Sequence, residues 1–224
     1  MSKIIFHGSD HIIESPRFGF GKGYNDYGLA FYCTAHIDMA CEWAVGNGSS
    51  GFANKYRFDD EGLNTVNLNG EEFTTLHWLT VLLENRLFDV HAPLANAARR
   101  YLIDNFSVDL SAADVVKGYR ADDCYFSFAQ DFLSGAISYR QLQQAMRLGN
   151  LGQQIAIKSE RAFERLTFVD ALPAPKGEWL PRRQQRDLSA RLQYLDTQQL
   201  AHKKGDLYVA QIIDEEMRPG DARL

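Results

Sequence analysis

The chain predicts an α+β fold built on a split, mostly antiparallel β-sheet with helical insertions and a C-terminal helix. Three observations carry that expectation. The strand-like runs are short and separated by irregular helical stretches, without the steady alternation of a doubly wound sheet. No GxGxxG follows the first strand, so a dinucleotide would not be held in a Rossmann crevice. A glycine-rich gap, residues 15–28, separates the first two strands and has turn chemistry throughout.

Taken in order, Lys3-Ile4-Ile5-Phe6-His7 is a short β-branched run that Gly8 ends, as expected of a buried strand. Ser15, Pro16, Gly19, Gly21, Gly23, Asn25, Asp26 and Gly28 then make a loop that can fold over a ligand. Phe31 to Thr34 is the second strand, and Thr34 is placed to cap the following helix. In that helix Ile37, Ala40, Cys41 and Ala44 recur at the helical interval and face the core. After the break at residues 46–51, strands are expected at Lys55–Phe58 and Thr65–Leu68. Leu76, Leu79, Leu83 and Leu87 predict a helix of about four turns.

Pro93 opens the next helix, which runs to about Asn105 with its missing N–H at no cost. A strand over Asp114–Tyr119 leads to an aromatic-rich helix through Leu133, capped by Asp122 or Asp123. Ser138 and Gln141 have capping-box spacing, and Gly149 ends the helix they start. Residues 154–158 form a strand, Ser159 caps a short helix, and Leu166–Val169 is the last core strand. Pro173 and Pro175 read as a linker, and Arg182, Arg183, Arg186 and Arg191 as the solvated face of a polar helix, with contact to a partner or to a phosphate backbone as the alternative. The organisation expected is therefore a domain over 1–172 and a helical, partly basic extension over 173–224.

Composition sets the class. At 224 residues the chain can bury a real core, and its 45% hydrophobic content is ordinary for a globular protein. The formal charge of −5 argues against a surface built mainly for nucleic acid, though a local basic patch is compatible with it. Cys33, Cys41 and Cys124 form no CxxC pair and read as buried free thiols. His11, His36, His77, His91 and His202 show no ligand spacing, so no metal is expected. There is no signal-peptide core and no run long enough to span a bilayer, which places the protein in the cytoplasm with no membrane contact.

The candidate site is His7-Gly8-Ser9 with Gly28 and Tyr32. A histidine, an exposed backbone turn and an aromatic face on two nearby strands can together hold a dinucleotide. Arg120 reads as a solvated surface residue in preference to a phosphate contact.

These residues carry a resemblance. His7-Gly8-Ser9, then Asp26-Tyr27-Gly28-Leu29-Ala30-Phe31-Tyr32-Cys33-Thr34, then a helix ending near Trp43-Ala44, resemble a bacterial family of small proteins in the ADP-ribosyltransferase superfamily. The branch is that of poly(ADP-ribose) polymerases and diphtheria toxin. The likeness extends through residues 119–123 and 154–157 and covers most of residues 3–170.

The resemblance implies a split-sheet NAD-binding core and a His, Tyr, Glu triad. It implies that His7 donates to the adenosine ribose of NAD and Gly8 grips the nicotinamide carboxamide through its backbone. Ser9 is the small hydroxyl residue that follows, Tyr32 stacks on nicotinamide, and Gly28 lies in the turn before it. Where the glutamate belongs the chain has Gln153-Gln154, with Gln154 the first choice for the position and Gln153 the second. A glutamine keeps the hydrogen bond to a ribose hydroxyl and loses the charge that offsets an oxocarbenium-like cation. Either Asp122 or Asp123 can supply that charge instead if one faces the cleft. The implied activity is mono-ADP-ribosylation of a protein or nucleic acid, as the toxin of a toxin–antitoxin pair with a cognate antitoxin. The rival is a catalytically inactive NAD-fold module that binds a partner or a nucleotide.

Overall fold

The computed structural model describes residues 2–46, 48–88, 92–121, 123–148, 152–200 and 203–224, with residues 123–125 described in backbone only. Runs rich in Ile, Val, Phe and Tyr supply the strands β1 (Ser2–Ser9), β2 (Phe31–Thr34), β3 (Gly51–Asp59), β4 (Thr65–Asn67), β5 (Val115–Tyr119), β6 (Gln153–Ile157) and β7 (Leu166–Ala174). The helices are α1 (Ile37–Ala44), α2 (Thr75–Asn85), α3 (Pro93–Phe106), α4 (Asp123–Leu133), α5 (Tyr139–Ala145), α6 (Glu160–Phe163), α7 (Lys176–Gln198) and α8 (Val209–Asp214).

The strands form one open sheet in the order β4-β5-β6-β2-β1-β3-β7. It is antiparallel except for the β4–β5 pair. Its weakest seam lies in the middle. β1 pairs with β3 along its whole length, from Ser2↔Asp59 to Ser9↔Phe52, and β2 pairs with β6 from Phe31↔Ile157 to Thr34↔Gln154. Between β1 and β2 the only register pair is Phe6↔Thr34. Beyond it the stretch from His7 to Ser9 is not laddered to β2, and the sheet opens there.

Side-chain alternation sorts residues to the two faces of the sheet. On β2 and β6, Phe31, Cys33, Ile155 and Ile157 join Ile5, Tyr56 and Phe58 in a core beside Ala162 of α6. Ala156 faces the other way, into the larger core around Trp78, Leu79, Phe128 and Phe132. Tyr32 packs against that larger core, so it faces the same side as Ala156 and Gln154. α1 lies on β1 and β3 through Ala40, Ala44 and Ala53, small residues that allow close approach.

Local signals held where they are self-contained. Pro93 is the first residue of α3. The capping box closes in both directions, Gln141 N–H to Ser138 Oγ at 3.3 Å and Ser138 N–H to Gln141 Oε1 at 2.8 Å. Ser159 Oγ accepts the Ala162 N–H at 3.1 Å.

Others are corrected. Thr34 does not cap α1: the N-cap is His36, and the Thr34 hydroxyl instead accepts the His36 N–H at 3.2 Å. Leu87 is not on the apolar stripe of α2, because Arg86 turns extended at ψ 152 and leaves Leu87 90% exposed. Pro173 is not linker but part of β7, opposite Phe52. β7 is an edge strand, whose outward-facing N–H groups have no ladder partner, so proline is tolerated there. The boundary expected after residue 172 thus falls inside a strand. The 173–224 segment also packs Ala190, Tyr194, Val209 and Ile212 into the same core as α2 to α5. Among the described residues no helix is long and apolar enough to cross a membrane.

Candidate functional site

The seam between β1 and β2 is filled by side chains rather than by ladder bonds. His7 donates its Nδ1–H to the carbonyl of Tyr32 at 2.7 Å and stacks on Phe31 with ring centroids 4.3 Å apart. Because Nδ1 is committed as the donor, the neutral ring offers Nε2 as an acceptor. A ligand hydroxyl that met Nε2 of the neutral ring would therefore donate to it rather than accept from it.

Tyr32 is fixed by its hydroxyl, which donates to the Gly28 carbonyl at 2.5 Å and accepts the Tyr27 N–H at 3.1 Å. Gly28 adopts φ +74, and a Cβ there would come within 2.7 Å of Asn85 Oδ1. Both hydrogen-bonding roles of the hydroxyl are thus tied to the turn, and the ring borders the cleft.

Gln154 is buried, and its Oε1 has no hydrogen-bond partner among the described residues. A buried carbonyl oxygen left without a donor is costly, which makes Gln154 a candidate contact for whatever enters the cavity. Its neighbour Gln153 points the other way and donates to Asn67 Oδ1 at 2.8 Å, outside the cleft.

His7, Tyr32 and Gln154 line one cavity of about 340 Å³ together with Asp26, Trp43, Arg86, Arg120 and Arg183. None of these five was expected in the site, and three of them change the reading of the sequence. Arg120 is not a solvated surface residue: its guanidinium lies 4.0 Å from the centroid of Trp43. Arg183 leaves the α7 surface for the same cavity. Asp26 had only its turn propensity to mark it, yet it is the one carboxylate among the described lining residues. It accepts the Ala121 N–H at 3.0 Å and lies 3.4 Å from Arg86 Nε. Asp122 lies outside the described residues, as does the side chain of Asp123.

A second cavity of about 540 Å³ shares His7, Tyr32 and Asn25 with the first and runs under the loop between β1 and β2. The loop is anchored at both ends. Buried Asn54 accepts the Ile13 N–H at 2.9 Å and donates to the carbonyls of His7 and His11 at 3.3 and 3.2 Å. At the other end the buried Tyr27 hydroxyl donates to Tyr119 O and accepts the Trp78 indole N–H at 3.1 Å. Between the anchors Phe20 is 70% exposed and Arg17 and Lys22 line the cavity. Ser9 faces this second chamber, its hydroxyl accepting the His11 N–H at 3.3 Å. A larger cavity of about 740 Å³, bordered by Asn85, Lys158 and Glu160, contains none of His7, Tyr32 or Gln154.

Gly8 sits opposite Ala53 under α1, where a Cβ would stand 2.0 Å from the Ala40 carbonyl oxygen. It borders neither cavity through a side chain, and only glycine fits. Cys33 and Cys41 are buried free thiols, with burial pushing Cys41 up to about 11; the side chain of Cys124 lies outside the described residues. Among the described residues no group of three or more His, Cys, Asp and Glu is arranged to hold a metal; His91 and His202 lie outside them.

The two histidines nearest the core carry a pH prediction. Burial lowers His7 below its ordinary 6.5, only partly offset by the bond to Tyr32. His77, whose Nδ1 accepts the Thr74 N–H at 2.9 Å, is lowered mainly by burial as well. The folded state then binds fewer protons than the unfolded chain below 6.5, so stability is complete above that value and falls as the pH drops through it. The denaturant midpoint should decline between about pH 7.5 and 5.5. His7→Gln should remove part of that slope; an unchanged slope would mean His7 protonates freely in the fold.

Residues 3–168 match a family model described as a protein of unknown function, DUF3990, and the chain belongs to that family. No curated protein and no solved structure matches the chain.

Proposed function

We propose that this DUF3990 member binds NAD in the cleft between β1 and β2 and transfers its ADP-ribose to a macromolecular acceptor, releasing nicotinamide. One observation carries the reading: His7, Tyr32 and Gln154, from three different strands, line one cavity at the point where the sheet opens. The split sheet is, in this reading, an ADP-ribosyltransferase core.

Each residue has a definite task. Tyr32, held at its hydroxyl by Gly28 and Tyr27, presents its ring for stacking on nicotinamide. His7 accepts from a ribose hydroxyl at Nε2 while its Nδ1–H stays on Tyr32. Gln154 Oε1 accepts from the ribose next to the reacting carbon. The nicotinamide–ribose bond breaks with its electron pair on nicotinamide. The acceptor nucleophile bonds to the same carbon and releases its proton to solvent. Positioning is what these groups supply, since none brings a negative charge to the cation. The biology that follows is that of a toxin restrained by a cognate antitoxin, with a protein or a nucleic acid as target.

A second reading rests on the neutrality of Gln154: a module that binds a nucleotide or partner without turnover. Labelled NAD incubated with the pure protein and whole-cell extract separates the two. Transfer of label to protein or nucleic acid, reduced at least about 100-fold by Tyr32→Ala, is the expected result. Intact NAD with a stable complex would establish the module instead.

A further inference from the structure

α7 carries four arginines, and three are neutralised by neighbours. Arg182 pairs with Glu178 at 3.0 Å, Arg191 with Asp187 at 2.8 Å, and Arg186 with the buried Glu42 of α1 at 2.6 Å. Arg183 has no ion pair among the described residues. It lies on the inward stripe of the helix, in line with Arg186, Ala190, Tyr194 and Thr197, and is therefore delivered to the α1 end of the cleft. Its Nη1 lies 2.7 Å from where a Cβ on Gly46 would be, beside the last turn of α1. The packing of Arg186 on Glu42 one turn away fixes that approach.

In the cavity Arg183 joins Arg120, Trp43 and Gln154. Both guanidinium groups are charged at any working pH. The single carboxylate among the described lining residues, Asp26, is already engaged by Arg86 and the Ala121 N–H. The buried Trp43 Nε1–H has no acceptor among the described residues, and neither has the buried Gln154 Oε1 a donor. Arg183, the Trp43 N–H and the buried Nη1 of Arg120 thus put donors at this end of a half-buried space.

We propose that Arg183 and Arg120 form a phosphate-binding subsite beside Gln154, supplied in part by the C-terminal helix. Two planar forks from different elements with an indole N–H match a tetrahedral oxyanion better than a point cation would. Arg183 lies past residue 168, where the family match ends, so the subsite is added by α7 to the matched region. The phosphate is either the pyrophosphate of the bound dinucleotide, which rests on the NAD reading, or a phosphate of the acceptor.

Calorimetric titration of the full chain tests this with pyrophosphate, NAD and nicotinamide riboside, comparing wild type, R183Q and R183K. Wild type should bind pyrophosphate, R183Q should weaken it at least about tenfold, and R183K should fall between, keeping the charge but losing the fork. Nicotinamide riboside, which has no phosphate, should be unaffected. A parallel loss of NAD affinity assigns the phosphate to NAD. Unchanged NAD affinity, with pyrophosphate still binding the NAD-saturated wild type, assigns it to the acceptor. Should pyrophosphate bind through Arg183 while NAD does not bind at all, the subsite stands and the NAD reading falls. Equal pyrophosphate affinity in wild type and R183Q, or in wild type and R183K if R183Q does not fold, overturns the subsite. A drop in the R183Q melting temperature without any change in affinity does so too, since Arg183 would then only cap α1. Failure of wild type to bind pyrophosphate at millimolar concentration has the same consequence.

Discussion

Gln154→Glu should raise the rate of nicotinamide release about ten- to a hundredfold while leaving NAD affinity nearly unchanged. The ground state makes the same hydrogen bond with either side chain, because a carboxylate oxygen replaces the Oε1 that now has no donor. Only the developing cation gains from the added charge, so the effect appears in turnover and not in binding. Burying a carboxylate would ordinarily raise its pKa and leave it neutral. Here the Arg120 and Arg183 guanidinium groups share the cavity and favour the ionised form, so NAD affinity stays near wild type if the Arg183 phosphate is the acceptor's and falls if it is the pyrophosphate of NAD. Single-turnover measurement of nicotinamide release, beside NAD titration, gives both quantities. The idea fails if Gln154→Glu folds and turns over at the wild-type rate while Asp26→Asn or an alanine at Asp122 or Asp123 abolishes activity. The working carboxylate would then sit on the loop or on the 120s segment.

How much of this was legible in the sequence depends on how local each cause is. β2, the capping box at Ser138 and the Pro93 start depend on a few adjacent residues, and the structure has them where the chain pattern puts them. His7 and Tyr32 were legible as neighbours on two short strands, Gln154 was singled out only by the resemblance, and the cavity that the three line appears only in the fold. What sets their polarity was not legible either. The tautomer of His7 follows from a carbonyl 25 residues away, and no local pattern announces it. Asp26 was hidden among turn formers, since an aspartate in a Gly-rich loop is ordinarily there for the turn. Asn54 was hidden inside a strand, where its three bonds to residues 7–13 become visible only once β1 and β3 pair.

Arg183 is the instructive miss. The inward stripe Arg183, Arg186, Ala190, Tyr194 and Thr197 has helical spacing, but its charged members masked the amphipathic signal that apolar residues would have given. The half-stripe of Ala190 and Tyr194 was the available clue that this face turns inward. Pro173 misled for a related reason. Proline marks a linker by composition and an edge strand by position, and position is known only from the sheet.

Gly8→Ala should destabilise the fold by about 3 kcal/mol or more. The added Cβ would lie 2.0 Å from the Ala40 carbonyl oxygen and 2.8 Å from both the Ala44 nitrogen and the Trp43 Cβ. Two of these three atoms are helix backbone, so no rotamer change relieves the contact, and α1 must lift from β1 as a body. That displacement would carry Trp43 out of the cavity and disturb the Arg120 stack above it. Stability and ligand binding should therefore fall together. Gly23→Ala is the matched control, with nothing within 4 Å and no unusual φ, and should change the denaturant midpoint little. Two different roles for Gly8 are separated by the outcome. If Gly8 serves chiefly to grip a carboxamide through its backbone, the alanine variant keeps its midpoint within about 1 kcal/mol and loses only affinity. If it serves chiefly to let α1 approach β1, the midpoint falls first and affinity follows, and the 2.0 Å contact favours this second order.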